Sequence, residues 1–171
     1  MDLKQHIRHV PDFPKAGILF YDITTLLRNP EGLGVTIDRL AEPYAQDSID
    51  LVVGIESRGF ILGSAVAKRL GARSVAIRKP GKLPSQCVKE TYELEYGTDA
   101  LEMHTDAVQR GQRVLIVDDV LATGGTAAAA TRLVRQLGGV LHGLAFLIEL
   151  LFLKGQSRLQ GENVFSVLQY D

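Results

Sequence analysis

Two adjacent carboxylates, Asp118 and Asp119, stand just ahead of a turn of small residues, Ala122-Thr123-Gly124-Gly125-Thr126. Each part of this stretch has a chemical use. Acids at the end of a buried strand need a partner, because burying an uncompensated charge is costly. A vicinal diol or a divalent cation would satisfy them. Glycines let a backbone approach a ligand closely, two hydroxyls can donate to phosphate oxygens, and a helix start favours an anion. The chain has neither a GxxxxGK[ST] nor a GxGxxG pattern, so the usual nucleoside-triphosphate and dinucleotide loops are excluded.

Cations gather at two other points. Glu56-Ser57-Arg58-Gly59 is a polar turn in which Arg58 could meet a second phosphate, and Arg78, Lys79 and Lys82 cluster around Pro80 and Gly81. Three cations there could hold a diphosphate. A solvated surface arginine and a solvated basic turn are the bland alternatives, but anion-friendly residues at three strand ends point together to one ligand. Glu95 could bring a carboxylate over that ligand if its loop closes; on pattern alone it is a surface glutamate. His6, His9, His104 and His142 are scattered without metal-ligand spacing. Cys87 reads as a free thiol in a loop.

The elements that must position these residues follow from periodicity. Val114–Val117 is an apolar run without alternation, the pattern of a strand buried on both faces, with the acids at its carboxyl end and a helix from Ala127 to Leu137 after the turn. Leu51–Ile55 is a second such strand, followed by a helix over Phe60–Leu70 that Gly71 closes. Ser74–Ile77, Val140–Leu150 and Asn163–Tyr170 read as further strands, and Lys154–Leu159 as a short helix. Asn29-Pro30 starts a helix running to about Ala45. Near the amino terminus, Asp2–His9 predicts a short helix, and Gly17–Ile23 an extended apolar piece, either a packed arm or a lid. Residues 80–92 read as a long loop, and Tyr92–Tyr96 with Ala100–Met103 as a short antiparallel ribbon around Gly97. Strands alternating with helices predict an α/β fold with a mostly parallel sheet.

Size and composition narrow the class. A chain of 171 residues fits one domain. A formal net charge of -1 gives no electrostatic case for nucleic acid or an anionic membrane. The longest apolar run, Leu144–Phe152, is broken by Glu149 and far too short to span a bilayer. One cysteine and no apolar leader lead to a cytoplasmic expectation.

The stretch Val114–Thr126 closely resembles the phosphoribosyl-pyrophosphate (PRPP) motif of the type I phosphoribosyltransferases. Phe13–Ile23, Gly54–Phe60, Ile77–Pro84, Glu93–Gly97 and Phe146–Leu150 resemble that family's adenine-using branch, so the likeness covers essentially the whole chain. It implies the type I fold, a twisted and mostly parallel sheet flanked by helices, with an N-terminal hood (1–28) and a flexible catalytic loop and β-ribbon (79–104) within a single domain. It implies a magnesium-dependent transferase that makes AMP and pyrophosphate from adenine and PRPP in purine salvage, working as a homodimer.

The resemblance also implies roles. Asp118 and Asp119 hold the ribose hydroxyls, and Ala122, Thr123, Gly124, Gly125 and Thr126 wrap the 5-phosphate. Ser57, Arg58, Arg78, Lys79 and Lys82 bind pyrophosphate, which carries the Mg²⁺, with Arg58 also placed among the catalytic groups. Glu95 is the loop carboxylate proposed to handle a purine proton, and Tyr96 helps close the loop. Adenine lies between Phe20 and Val120, its edge read by the backbone of Leu19 and Tyr21. Tyr21 stands where many members carry arginine, a change to which backbone readout is indifferent. Rival expectations are a transferase for another purine and a non-catalytic PRPP-sensing regulator. The latter calls for an added DNA-binding segment or a strongly basic face, and neither is visible.

Overall fold

In a computed structural model the chain is described over residues 1–94 and 96–171; Glu95 lies outside the described residues. Residues Leu51–Ile55 (β3) are buried at every position, as expected for a strand covered on both faces. They lie between β4 (Arg73–Ile77) and β7 (Arg113–Leu121) in a five-stranded parallel sheet with β8 (Val140–Leu150) and β9 (Val164–Tyr170), in the order β4-β3-β7-β8-β9. Strand order runs outward in opposite directions from the β3/β7 pair. Ligands bind beyond the carboxyl ends of strands at such a reversal.

Helix ends follow local chemistry. In α2 (Pro30–Ala41) the Asn29 side chain accepts from the N–H groups of Glu31 and Gly32, and Pro30 occupies the first turn. That helix stops at Ala41, short of the expected Ala45, because Pro43 falls in a separate 3₁₀ turn, Glu42–Tyr44. A short helix α1 (Thr24–Leu27) precedes it. Gly71, at φ 69°, closes α3 (Arg58–Leu70) in the left-handed conformation that glycine favours. The fourth helix, α4 (Gly125–Gln136), follows β7. Leu40, Leu62 and Val66 of α2 and α3 pack on one face of the sheet, and Leu133 and Val134 of α4 on the other.

Further expectations need correction. The expected helix over Asp2–His9 is only a 3₁₀ turn, Leu3–His6, capped by Asp2. Arg8–Pro11 (β1) instead pairs antiparallel with Leu19–Asp22 (β2), since the prolines forbid a longer helix but not an edge strand. The loop over 80–92 is shorter than expected. Cys87–Glu93 (β5) pairs with Thr98–His104 (β6), from Cys87↔His104 to Glu93↔Thr98, so Tyr96 sits at the ribbon's tip rather than in a strand. Cys87 is thus the first residue of a strand and not a loop thiol, and its Sγ–H donates to the Ser85 carbonyl over 3.2 Å. Finally, β7 continues through the acid pair to Leu121. The long neighbour β8 extends its ladder, with Asp118 opposite Phe146 and Leu121 opposite Glu149.

Candidate active site

The expected sugar-phosphate end is built by the β7–α4 connection. Asp118 and Asp119 are buried, and Asp118 Oδ1 accepts from the Asp119 N–H at 2.9 Å. Burial, and next the neighbouring Asp119 charge, push the Asp118 carboxyl well above the usual carboxylate range. Gly124 caps α4 at φ 83°, and no side chain satisfies the first N–H groups of the helix. Those donors are left for an anion. Residues Asp118 and Val120–Ala127, with Phe146, line a recess of about 90 Å³, and this run includes every one of the expected phosphate-loop positions.

Close packing holds the loop in place. A side chain at Gly124 would collide with the carbonyl oxygen of Gly155, and one at Gly155 with the carbonyl of Ala122. Gly155 opens a 3₁₀ turn, Gly155–Arg158, that backs the phosphate loop. Behind it, buried Glu149 accepts from Gln156 Nε2 at 2.7 Å and Gln169 Nε2 at 3.2 Å. The β3–α3 turn is equally tight against the acids: a Cβ on Gly59 would stand 2.8 Å from Asp118 Oδ1.

The expected pyrophosphate cations converge on one side, each with a carboxylate. Arg58 pairs with Asp119, and its guanidinium carbon lies 5.5 Å from the centre of the Phe20 ring. Lys82 pairs with Glu56, and Arg78 Nε lies 3.5 Å from the same carboxylate. Lys79 donates its N–H to Glu56 Oε2 at 2.8 Å, and its ammonium pairs with Asp99 beside Tyr92 Oη at 3.1 Å. Burial alone would raise the Glu56 carboxyl, but the bonds from Lys82 and Lys79 and the cationic charges outweigh it and hold the group below its ordinary range. The bond from Lys79 lowers Asp99 in the same way. Ser57 is exposed at the head of α3, after a cis Glu56–Ser57 peptide.

The β1–β2 hairpin brings the third group. Leu19 is 43% exposed, Phe20 meets Arg58 on one side and Phe13 edge-on at 5.1 Å, and Tyr21 stacks with Tyr170 at 4.2 Å and His9 at 5.1 Å. The arm is therefore anchored on β9 through Tyr21, and its Phe20 lies against Arg58, which pairs with Asp119. Tyr21 gives the packed arm of the two sequence alternatives. Val120 is half-buried beside the recess. Tyr96, 81% exposed, borders a recess that Thr123 also lines, and Glu95 is outside the described residues.

Sequence reading missed Glu56, Asp99 and Tyr92 as partners of the cations, and although it expected a short helix over Lys154–Leu159 it missed the packing of the Gly155–Arg158 turn on Gly124. Glu56 and Asp99 carry a weak signal, being acids near a basic cluster. The turn's contact with Gly124 carries none, because it is set by tertiary packing.

Among the described residues no three His, Cys, Asp or Glu side chains gather into a cation cage. The donor set is instead two adjacent carboxylates facing a cationic cradle. That suits Mg²⁺, which is commonly held by one or two carboxylates together with substrate phosphates and water.

Comparison with known proteins agrees with this geometry. Residues 22–167 match the phosphoribosyl transferase domain family. The chain is 62% identical over 170 residues to the adenine phosphoribosyltransferase of Solibacter usitatus, covering 99% of this chain and 98% of that one. It is similar to the crystal structure of the Rhodothermus marinus adenine phosphoribosyltransferase, with TM-score 0.95, 57% identity and 98% and 96% of the two chains covered. The Saccharomyces cerevisiae enzyme, complexed with an imino-altritol bisphosphate and adenine, gives TM-score 0.92 at 46% identity over 98% and 97%. A domain match over most of the chain, together with identity of this order from end to end, shows that the chain belongs to the adenine phosphoribosyltransferases, within the phosphoribosyl transferase family.

Proposed function

We propose that the chain transfers the 5-phosphoribosyl group of PRPP to adenine, giving AMP and pyrophosphate, with Mg²⁺ bound alongside the diphosphate. The observation that carries this reading is the juxtaposition of a buried acid pair, an uncapped helix start and a cationic turn at one reversal of strand order.

Asp118 and Asp119 hold the ribose hydroxyls, and the backbone of Ala122–Thr126 with the Thr123 and Thr126 hydroxyls holds the 5-phosphate. Ser57, Arg58, Arg78, Lys79 and Lys82 receive the pyrophosphate. Breaking the C1–O bond builds positive charge on the ribose and negative charge on the leaving group, so fixed cations on one side and fixed hydroxyls on the other stabilise the transition state. Mg²⁺, held by the diphosphate with Asp118 or Asp119 in reach, would further neutralise the leaving group. Leu19, Phe20, Tyr21 and Val120 form the base slot. Phe20 supplies a flat apolar wall, and backbone groups of Leu19 and Tyr21 discriminate adenine from oxo-purines, whose mismatch would leave buried groups unpaired. Glu95 handles the purine proton, and Tyr96 closes over the site, excluding the water that would hydrolyse the activated ribose.

The enzyme acts in the cytoplasm as a homodimer. Exposed Ile61 and Phe152 offer apolar area for a subunit contact, and among the described residues no helix is long and apolar enough to cross a membrane. The test is AMP formation with each purine in turn, with and without Mg²⁺. Adenine turnover that needs the metal is expected; turnover of hypoxanthine but not adenine refutes the assignment.

A further inference from the structure

Arg158 has no place in the roles above, yet the fold holds it against the phosphate loop. Its turn is fixed at its first two residues, by the Gly155 contact with Gly124 and Ala122 and by the bond from Gln156 to buried Glu149. Its Nη1 lies 3.4 Å from the point where a Gly125 Cβ would stand. The Glu93 carbonyl oxygen and the Tyr92 ring approach that same point, at 3.8 Å and 3.3 Å. The absent side chain of Gly125 therefore makes the space in which the ribbon stem, the phosphate loop and Arg158 meet. Arg158 and Glu93 also border two recesses together. One, of about 600 Å³, runs along the ribbon stem to Arg132; the other, of about 630 Å³, reaches Thr123, Lys15 and the ribbon tip at Leu94 and Tyr96. Arg132 is already paired with Glu90. Among the described residues neither Arg158 nor Glu93 has an ion-pair partner within 4.0 Å.

We propose that Arg158 is a positioning residue for the transfer reaction: it pairs with Glu93 when the phosphate loop is filled, and so fixes the ribbon tip over the substrate. The inference rests on the proposed role of that tip, Tyr96 above all, in closing the site. The physical reasoning is short. A 5-phosphate seated on the uncapped start of α4 immobilises Gly124 and Gly125, and with them the turn packed on Gly124. Arg158 is then held at one place above Gly125. Glu93, the last strand residue before the tip, is the carboxylate in reach. Closure removes water from both, which strengthens an attraction that is weak while they remain solvated. Arg158 thus acts through Glu93 and does not touch the reacting atoms.

The test is charge exchange. Arg158→Glu and Glu93→Arg are each expected to lower kcat by roughly three- to tenfold, the range of a coupled pair partly out of water, with little change in the Kd for AMP or in thermal melting. The double variant carrying both is expected to recover most of the loss, and Arg158→Lys to keep more activity than Arg158→Gln. Recovery in the double variant is the readout that a merely structural role would not produce. No recovery, with all variants melting like the parent, overturns the pairing. A rise in AMP Kd at unchanged kcat also overturns it, by making Arg158 a direct phosphate ligand. Should the reversed charges impair folding, the neutral pair Arg158→Gln and Glu93→Gln decides instead: losses that multiply in the double variant overturn the proposal, and a double no worse than either single supports it. Adenine turnover by the parent chain is measured first. Its absence would refute the proposed function, whereas normal parental turnover with unaffected variants refutes this inference alone.

Discussion

Gly124 is the position where a single methyl group should do the most harm. Gly124→Ala places a Cβ on a residue at φ 83°, which costs about 1–2 kcal/mol for any L side chain. The same Cβ would collide with the Gly155 carbonyl oxygen and stand 3.1 Å from its carbonyl carbon and 3.3 Å from Arg158 Cβ. The obstacle is backbone and cannot rotate away, so the overpacking adds about 1–3 kcal/mol. The sum, about 2–5 kcal/mol, corresponds in a chain of this size to a fall in Tm of roughly 5–20 °C. Gly161→Ala is the control: Gly161 has φ 81° but nothing within 4 Å of its Cβ position, so only the backbone term applies and Tm should fall by roughly 2–8 °C. Thermal melting of both variants, with KM for PRPP, separates the terms. In Gly124→Ala the loop must move away from Gly155, and KM for PRPP should rise tenfold or more; in Gly161→Ala it should not change. Equal losses of Tm, or an unchanged KM in Gly124→Ala, would refute the claim that the 155–158 turn shapes the phosphate loop.

Other expectations follow from the acids. Glu56→Gln keeps an acceptor for the Lys79 N–H but removes the charge facing Arg78 and Lys82, so Tm should drop by a few degrees while pyrophosphate binds more tightly and with steeper salt dependence, measurable by calorimetry at two ionic strengths. Asp118 has a raised carboxyl in the folded chain, so the folded state holds a proton that the unfolded state releases. Ligand-free stability should therefore decline as pH rises from the ordinary carboxylate range through the raised value, and Asp118→Asn should abolish that decline in urea titrations. Asp22, lowered to about 2 chiefly by bonds from Thr24, has the opposite sign: its contribution is present above the ordinary carboxylate range and lost as pH falls toward 2, and Asp22→Asn should flatten the acid limb of the same titration. Glu95→Gln should depress kcat with adenine binding unaltered; full turnover would remove Glu95 from the chemistry.

The legible parts of the fold were those governed by local pattern. Apolar composition marked β3 and β8, whose bounds match the expected strands, and Asn29-Pro30 and Gly71 marked helix ends through caps that need no distant partner. The sheet's parallel order followed from alternation of strands and helices. Illegible were elements whose existence depends on a partner. β1 exists because β2 pairs with it, and the lower half of the ribbon because Cys87 faces His104 and Lys89 faces Glu102. At the site, residue types announced the phosphate loop and the cations. The Arg58–Asp119 and Lys82–Glu56 pairs span distant segments and leave no mark in local sequence.

Those pairs change what substrate binding means in this site. Arg58, Arg78, Lys79 and Lys82 are not bare positive charges waiting for an anion, since each already has a carboxylate neighbour. In the proposed reaction a diphosphate entering here performs ion exchange: it takes over cations that Glu56, Asp99 and Asp119 give up. The net gain per contact is smaller than for a naked cationic pocket, because an existing pair is broken for each new one. Selectivity benefits for the same reason. A stray polyanion that cannot also engage the α4 start and the acid pair gains too little to displace the resident carboxylates. Product release has a built-in competitor as well, since the same carboxylates stand ready to reclaim their cations as pyrophosphate departs.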